Sequence, residues 1–306
     1  MSKSVLNQPH QDRIALGMLA AVAAFFMFTV MNVAAKLLAE RHSVVEIAFY
    51  RNLVAIVPFL FIIYGLGRRD YLRLSKKPGL VVLRGFLGTV SLVGTFAAFS
   101  LMPMADTTIL LFSSSLYIPV LGVLLLKEQV GIYRWLAVVI GFVGVLFMVR
   151  PSGQVYLLGI SIALSIALLQ AFMQILLRYI GKHEKPEAIT FYFFLVSLLV
   201  TAVPMPFIFV QPTLAELPLL IGVGLSGAAA QFLLATAFSN APASIVTVFN
   251  YSSIIWATLF GWLIWQDWPL PEVFVGAVVV VASNLLIIWR ESRVRKITGE
   301  RVRAKL

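Results

Sequence analysis

The sequence predicts an all-α, polytopic membrane protein with ten transmembrane helices, arranged as two inverted five-helix repeats with both termini in the cytoplasm. The 306-residue chain is 60% hydrophobic and only 12% charged, with a mean hydropathy of +0.96. Soluble domains are roughly 45–50% apolar and about 25% charged. Apolar runs of about 20 residues recur, and each is long enough to cross a hydrocarbon core of about 30 Å. A pattern that repeats between the two halves of the chain completes the prediction.

The repeat is clearest where Ala98–Glu128 returns, 139 residues later, as Ala237–Asp267. This offset relates Ala98-Phe99-Ser100 to Ala237-Phe238-Ser239, Pro103 to Pro242, Ser113-Ser114 to Ser252-Ser253, Tyr117 to Trp256 and Glu128 to Asp267. An offset of 142 relates Gly17 to Gly159, Asn32 to Gln174, Lys36 to Arg178 and Phe49-Tyr50 to Phe191-Tyr192. Fixed offsets over many pairs indicate an internal duplication. Because each half holds five helices, an odd number, the second half enters the membrane upside down.

The apolar runs, separated by mostly short connections, define ten predicted spans. Spans 1 to 5 are Ile14–Leu38, Val45–Leu66, Leu80–Leu101, Ala105–Leu126 and Ile132–Val149. Spans 6 to 10 are Val155–Ile180, Ala188–Val210, Leu214–Ser239, Ala243–Trp265 and Pro271–Trp289. Span 1 is too long for a signal-peptide core and lacks a small-residue cleavage site after it, so we expect it to be retained. Pro58, Pro119 and Pro204 interrupt helical hydrogen bonding and are expected to kink spans 2, 4 and 7.

The predicted domains follow from the repeat. A cytoplasmic tail covers residues 1–12, the first repeat 13–150, the second repeat 151–290 and a basic cytoplasmic tail 291–306. With the amino terminus inside, the cytoplasmic segments carry 18 Lys and Arg residues, whereas the outer loops carry only Arg41 and Arg150. This asymmetry predicts both termini inside. It also assigns the net charge of +11 to a rim facing anionic lipid headgroups rather than to nucleic acid.

Side chains that are costly in hydrocarbon mark the predicted interior. Span 1 carries Asn32 and Lys36, and span 6 carries Gln170, Gln174 and Arg178, in each case on one helix face. The inverted repeat places Lys36 near the outer mouth and Arg178 near the inner mouth. Either the two cations attract a carboxylate at the two mouths, or both side chains extend to lipid headgroups. The sequence leaves these alternatives open.

A second polar group is predicted at mid-depth on spans 4 and 9. Its candidates are Ser113, Ser114 and Tyr117, and by symmetry Asn250, Tyr251, Ser252, Ser253 and Trp256. Hydroxyls and an amide beside aromatic rings suit an amphiphilic ligand, although a single Ser is also common at plain helix contacts. Gln231 on span 8 is a further candidate. Inverted repeats place such a site near the membrane midplane, between the halves.

The acidic residues constrain the function by their positions. All 13 Asp and Glu residues, and the three His residues, lie in tails, loops or at the ends of spans. A proton relay or a cationic substrate would need a carboxylate or His within the membrane, so the sequence favours neutral, zwitterionic or anionic cargo. Arg51 is expected to pair with Glu46 in a structural contact. With no cysteine, no metal-binding constellation and no nucleophile beside a base, we predict neither an enzyme nor a cofactor.

These motifs resemble the drug/metabolite transporter superfamily, specifically its ten-helix type with two EamA domains. The resemblance rests on the AFSLMPMADTT turn, Pro119, Lys127-Glu128, FYRNLVA at Phe49–Ala55 and GFVGVLFMVRP at Gly141–Pro151. Within the superfamily the chain is most similar to YddG-type exporters of aromatic amino acids. The resemblance implies a bacterial inner-membrane exporter whose spans 1, 3, 4, 6, 8 and 9 line a central cavity.

From the resemblance and the uncharged cavity we predict alternating-access export of aromatic or hydrophobic amino acids. The alternative is export of another small neutral or anionic metabolite on the same fold. The partners expected are therefore a small-molecule substrate and the lipid bilayer. The sequence leaves the oligomeric state open, with a monomer among the options.

Overall fold

The structure is a computed structural model. It describes residues 8–68, 72, 77–126, 132–149, 157–180, 184, 186–241, 246, 248–283 and 285–286. Both tail ends, and with them the predicted cytoplasmic termini, lie outside the described residues, as do Lys127, Glu128 and Pro242.

Most of the described residues form α-helices. In chain order these are α1 (Gln8–Leu38), α2 (Val44–Leu60), α3 (Pro78–Leu101), α4 (Met104–Phe112), α5 (Ser114–Leu126), α6 (Ile132–Val149), α7 (Leu157–Ile180), α8 (Pro186–Ala202), α9 (Met205–Ile208), α10 (Leu217–Asn240), α11 (Ser252–Trp265) and α12 (Pro271–Ser283). A π-helical turn, Phe61–Gly65, extends α2. Within the described residues, six helical segments are long and apolar enough to cross a membrane: Ile14–Leu38, Val44–Gly65, Pro78–Leu101, Met104–Leu124, Leu157–Leu177 and Leu217–Asn240.

Prolines and polar residues at the helix ends explain several of these boundaries. Ser43 caps α2, because its hydroxyl accepts the backbone N–H of Glu46 at 3.2 Å. Span 7 divides into α8 and α9 at Pro204, which begins the short α9; this agrees with the interruption expected there. Pro58 lies inside α2 just before the π-helical turn. Span 4 also divides, but at Ser113 rather than at Pro119.

The helices pack in pairs that recur between the two halves. α1 packs along α10, and α3 packs along α7. A Cβ on Gly17 of α1 would meet Ala241 at the end of α10, and a Cβ on Gly159 of α7 would meet Met102 at the end of α3. These two contacts are related by the offsets of 142 and 139 residues found in the sequence.

A second pair of close helix contacts, formed at two glycines, also recurs between the two halves. Gly227 of α10 faces Met31 of α1, while its counterpart Gly88 of α3 faces Met173 of α7. The offset of 139 relates Gly88 to Gly227, and the offset of 142 relates Met31 to Met173. A Cβ on either glycine would come within 3.2 Å of those methionines, so a small residue is required for the helices to approach this closely.

Candidate functional site

The predicted mid-depth cluster lies where two helices are interrupted. α4 ends and α5 begins at Ser113, and α11 begins directly after turns at Asn250 and Tyr251. The interruptions fall within two residues of each other when the halves are related by the offset of 139. Discontinuous helices are a recurrent feature of transporters, because they place helix ends and unpaired backbone groups inside the membrane.

The serine hydroxyls at these interruptions bind the backbone. Ser113 is fully buried and donates to the carbonyl of Leu110 at 2.7 Å, and Ser253 donates to the carbonyl of Asn250. Ser114 is also buried. The same two carbonyls also accept the backbone N–H groups of Ser113 and Ser253, at 3.1 and 3.0 Å. The predicted role of these serines in substrate binding stays a prediction.

Aromatic rings join the two interruptions to each other and to the neighbouring helices. Phe112 and Tyr251 meet edge to face, with ring centroids 5.3 Å apart. Tyr117 instead packs against Phe142 of α6 at 5.1 Å. Of the two tyrosine candidates, Tyr251 therefore lies between α4 and α11, whereas Tyr117 lies on the α5–α6 contact.

Three polar atoms on α1 and α11 are buried with no hydrogen-bond partner among the described residues: Asn32 Oδ1, Ser252 Oγ and Trp256 Nε1. Trp256 packs edge to face on Phe26 of α1, with ring centroids 5.2 Å apart. Buried polar groups are normally hydrogen-bonded. A ligand that supplied these partners would recover the free energy lost by their desolvation.

Lys36 lies at the end of α1, beside the turn between α3 and α4. Its ammonium donates to the carbonyl of Met102 at 2.7 Å and lies 4.8 Å from the ring centroid of Trp265. It also interacts electrostatically with Asp106 and Asp267. Lys36 therefore has a hydrogen-bond partner and charged neighbours within the protein. The two roles predicted from sequence, attraction of a carboxylate and extension to lipid headgroups, do not account for these contacts.

The remaining predicted site residues, three glutamines and one arginine, differ in burial and in contacts. Gln170 of α7 donates weakly to Thr95 of α3 at 3.4 Å, Gln174 is exposed and Gln231 of α10 is partly buried. The side chain of Arg178, the predicted counterpart of Lys36, lies outside the described residues. Gln170 thus lies at the α3–α7 contact, and its predicted role in substrate binding stays a prediction.

Arg51 does not make the predicted pair with Glu46. Its Nη1 donates to Asn52 Oδ1 at 2.8 Å, and its guanidinium lies 4.9 Å from the ring centroid of Phe194 on α8. Asn52 in turn donates to Ser197 Oγ at 2.7 Å. The prediction was wrong because Arg51 is directed toward α8 and α10, while Glu46, on the first turn of α2, is directed toward the loops.

Glu46 belongs instead to an ionic loop cluster, which we define as Arg41, His42, Glu46 and Glu216. His42 Nδ1 lies 3.1 Å from Glu46 Oε2, and its Nε2 lies 3.4 Å from Glu216 Oε2. Arg41 pairs with Glu216 at 3.2 Å. The side chains of His42 and Glu46 are completely buried. The cluster therefore ties the α1–α2 loop to the start of α10.

Backbone groups of the α9–α10 connection complete this cluster. Glu46 Oε1 accepts the N–H of Val210 at 3.1 Å. Glu216 Oε2 accepts both the N–H and the hydroxyl of Thr213, at 2.7 and 2.8 Å. The bond from the Thr213 backbone, followed by its hydroxyl, His42 and Arg41, lowers the pKa of Glu216 from 4.5 to about 2.

Arg84 of α3 is an interior residue that the sequence analysis did not select. Its guanidinium lies 4.9 Å from the ring centroid of Phe193 on α8. Its Nε and Nη1 are buried without a hydrogen-bond partner in the described part of the chain. The available signal was a single cation within the apolar segment that begins at Leu80.

The helical bundle and its long apolar segments are those of a multi-pass membrane protein. A family comparison supports this class and specifies it. The chain belongs to the EamA-like transporter family, whose sequence model matches residues 15–150 and again residues 157–289. This places it in the drug/metabolite transporter superfamily that the sequence motifs resemble.

Relatives in the family carry several substrates. The chain is 31% identical to the pseudopaline exporter of Pseudomonas aeruginosa, over 90% of this chain and 97% of that protein. It is 28% identical to the S-adenosylmethionine uptake transporter of Rickettsia bellii, over 86% and 89% of the two chains. It is 27% identical to the riboflavin transporter of Vibrio cholerae, over 96% and 98%.

A solved crystal structure shares the fold, with a TM-score of 0.61 over 93% of this chain and 99% of that chain, at 14% identity. The comparisons support membrane transport of a small molecule. They do not support the YddG-type, aromatic amino acid specificity predicted from sequence, because the three relatives are described as carrying pseudopaline, S-adenosylmethionine and riboflavin.

Proposed function

We propose that this protein is a secondary transporter that exports a small neutral or anionic metabolite across the inner membrane by alternating access. Its two repeats, residues 13–150 and 151–290, would be inverted relative to each other, with ten spans in all and both termini in the cytoplasm. The substrate would bind between the repeats, beside the interruptions of α4–α5 and of the segment before α11. Its binding residues would come from the candidates on α1, α4, α5, α7, α10 and α11.

The observation that carries this proposal is the set of unpartnered polar atoms on the neighbouring helices α1 and α11. Asn32 Oδ1, Ser252 Oγ and Trp256 Nε1 offer one acceptor, a hydroxyl and one donor. None of these atoms carries a formal charge, so the set suits uncharged polar groups of a substrate. The contacts that recur at offsets of 139 and 142 residues support the inverted repeat.

Aromatic amino acids remain a second candidate substrate because of the rings around this set. Trp256 and Phe26 form one edge-to-face pair, and Phe112 and Tyr251 form another. Such surfaces suit a flat apolar side chain. The relatives favour a wider range of metabolites, and for this reason aromatic amino acids are not our main proposal.

Transport by the purified chain in proteoliposomes tests both candidates. Labelled phenylalanine, riboflavin, succinate and S-adenosylmethionine would be compared in counterflow, with and without an imposed pH gradient. We expect accumulation of at least one neutral or anionic compound above empty liposomes and no accumulation of S-adenosylmethionine, which carries a sulfonium cation. Accumulation of phenylalanine alone would favour the second candidate, and accumulation of none of the four would contradict the proposal.

A pair of tryptophan substitutions tests the site itself. Trp256→Phe removes the unpartnered Nε1 while keeping an aromatic ring, so transport should fall by about three- to tenfold if a substrate hydrogen bond is lost. Trp262→Phe is the matched control, because Trp262 lies on the same helix but is 45% exposed. Equal transport by the two variants would remove Trp256 from the site.

A further inference from the structure

Two arginines from neighbouring helices share one aromatic ring in the interior. The guanidinium of Arg51 on α2 lies 5.6 Å from the ring centroid of Phe193, and that of Arg84 on α3 lies 4.9 Å from the same centroid. Arg51 is only 1% exposed, and Arg84 is partly buried. We refer to Arg51 and Arg84 as the arginine pair.

The arginine pair has few hydrogen-bond acceptors. Arg51 Nη1 donates to the neutral Asn52. Arg51 Nε and Arg84 Nε and Nη1 are buried without any acceptor among residues that the structure describes. Within the same residues, the ion pairs formed by basic groups involve Arg41 and His42 but neither member of the arginine pair.

Aromatic contacts alone do not offset this burial. A cation over a ring is stabilised by less than the effective desolvation penalty of a buried ion in a protein. Arginine stays protonated in proteins, so the pair cannot avoid this penalty by losing protons. An anion that enters the interior would supply the missing acceptors and the missing charge.

The duplicated scaffold does not require these cations. The offset of 142 relates Arg51 to Phe193, and the offset of 139 relates Arg84 to Val223. Gly227 of α10 faces Arg51 at the position where its counterpart Gly88 faces Phe193. The second half therefore builds the equivalent contacts with apolar residues, and both cations belong to the first half alone.

We propose that the arginine pair binds the carboxylates of the transported substrate, with Phe193 between the two guanidinium groups. This inference rests on the proposed transport function and narrows its cargo to organic carboxylates. The planar guanidinium fork matches a carboxylate in two parallel hydrogen bonds. Arg84, the more exposed of the two, binds the first carboxylate. Arg51 binds a second one when the Phe193 ring moves aside. A dicarboxylate with an apolar or aromatic portion fits this arrangement.

The first experiment uses the intact wild-type chain in detergent, with phenylsuccinate and its dimethyl ester as probes. Binding to the folded state raises Tm progressively with ligand concentration. We expect phenylsuccinate to raise Tm and the ester, which keeps the ring but lacks both charges, to leave it unchanged. Inorganic phosphate serves as a third probe. Equal shifts with acid and ester, no shift with the acid, or a larger shift with phosphate would overturn the carboxylate assignment.

Substitutions then separate binding from folding. Arg84→Gln removes the charge, and we expect phenylsuccinate to bind about tenfold more weakly or worse, because a charge-assisted hydrogen bond is lost. Arg84→Lys keeps the charge without the fork and should bind with intermediate affinity. Arg41→Gln is the matched control, because Arg41 is exposed and paired with Glu216; it should bind phenylsuccinate as the wild type does.

Unchanged phenylsuccinate binding by Arg84→Gln would overturn the proposal. If that variant does not fold, the wild-type comparison of acid and ester still decides the question. Transport results separate this inference from the proposed function. Transport of neutral metabolites without carboxylate binding would refute the arginine pair and leave the function intact, whereas carboxylate binding without transport of any compound would refute the function.

Discussion

The ionic loop cluster and the arginine pair both bury charge, but only the loop cluster contains the opposite charge. His42 and Glu46 are completely buried and lie 3.1 Å apart, and Glu216 completes the cluster. The arginine pair instead contacts aromatic rings and the neutral Asn52. Removing one member of a buried polar cluster leaves its neighbours without partners, whereas replacing an unpaired buried charge removes its desolvation penalty. We therefore expect the loop cluster to determine stability and the arginine pair to determine substrate binding.

The largest effect should come from Glu46→Gln. This change replaces a carboxylate oxygen beside the buried His42 with an amide group, and we expect a loss of about 1–3 kcal/mol in stability. Thermal unfolding in detergent measures it. His42→Gln and the double variant close a cycle, in which the two changes should be strongly non-additive because the residues are in contact. Glu272→Gln, an exposed residue at the start of α12, is the matched control. A Glu46→Gln variant that unfolds at the wild-type Tm would contradict the expected difference between the loop cluster and the arginine pair.

Arg51→Met should have a much smaller effect on the same measurement. Methionine keeps a long flexible side chain but no charge, so the penalty for burying the cation disappears while one hydrogen bond to Asn52 is lost. We expect stability within about 1 kcal/mol of the wild type, or above it. A loss as large as that of Glu46→Gln would mean that Arg51 supports the fold.

The smallest effect concerns the pH dependence of the loop cluster. The folded-state pKa of Glu216 is lowered from 4.5 to about 2, so its ionised form stabilises the fold above pH 4.5, and this contribution is lost as the pH falls toward 2. The difference in Tm between wild type and Glu216→Gln should therefore be constant above about pH 5.5 and shrink below pH 4.5. A difference that grows on acidification would contradict the assignment.

Much of the helical layout could be predicted from hydropathy and turn residues. The Pro103 turn, the division of span 7 at Pro204 and the end of span 3 at Leu101 agree with the structure. The break in span 4 was not predicted, because a kink was expected at Pro119 and the structure has the break at Ser113 instead. A proline restricts the backbone wherever it stands, whereas at the break the N–H and the hydroxyl of Ser113 both donate to the Leu110 carbonyl in the folded interior.

The sequence by itself determined the membrane class, the transporter superfamily and the two fixed offsets between the halves, because hydropathy and internal repeats are properties of the chain order. Only the tertiary structure decided which charges meet. Glu46 is five residues from Arg51 and four from His42, yet it contacts His42, whose other ring nitrogen contacts Glu216. Arg51 and Arg84, 33 positions apart, share the ring of Phe193. Pairing depends on helix rotation and on residues distant in the chain, and neither can be obtained from local sequence spacing alone.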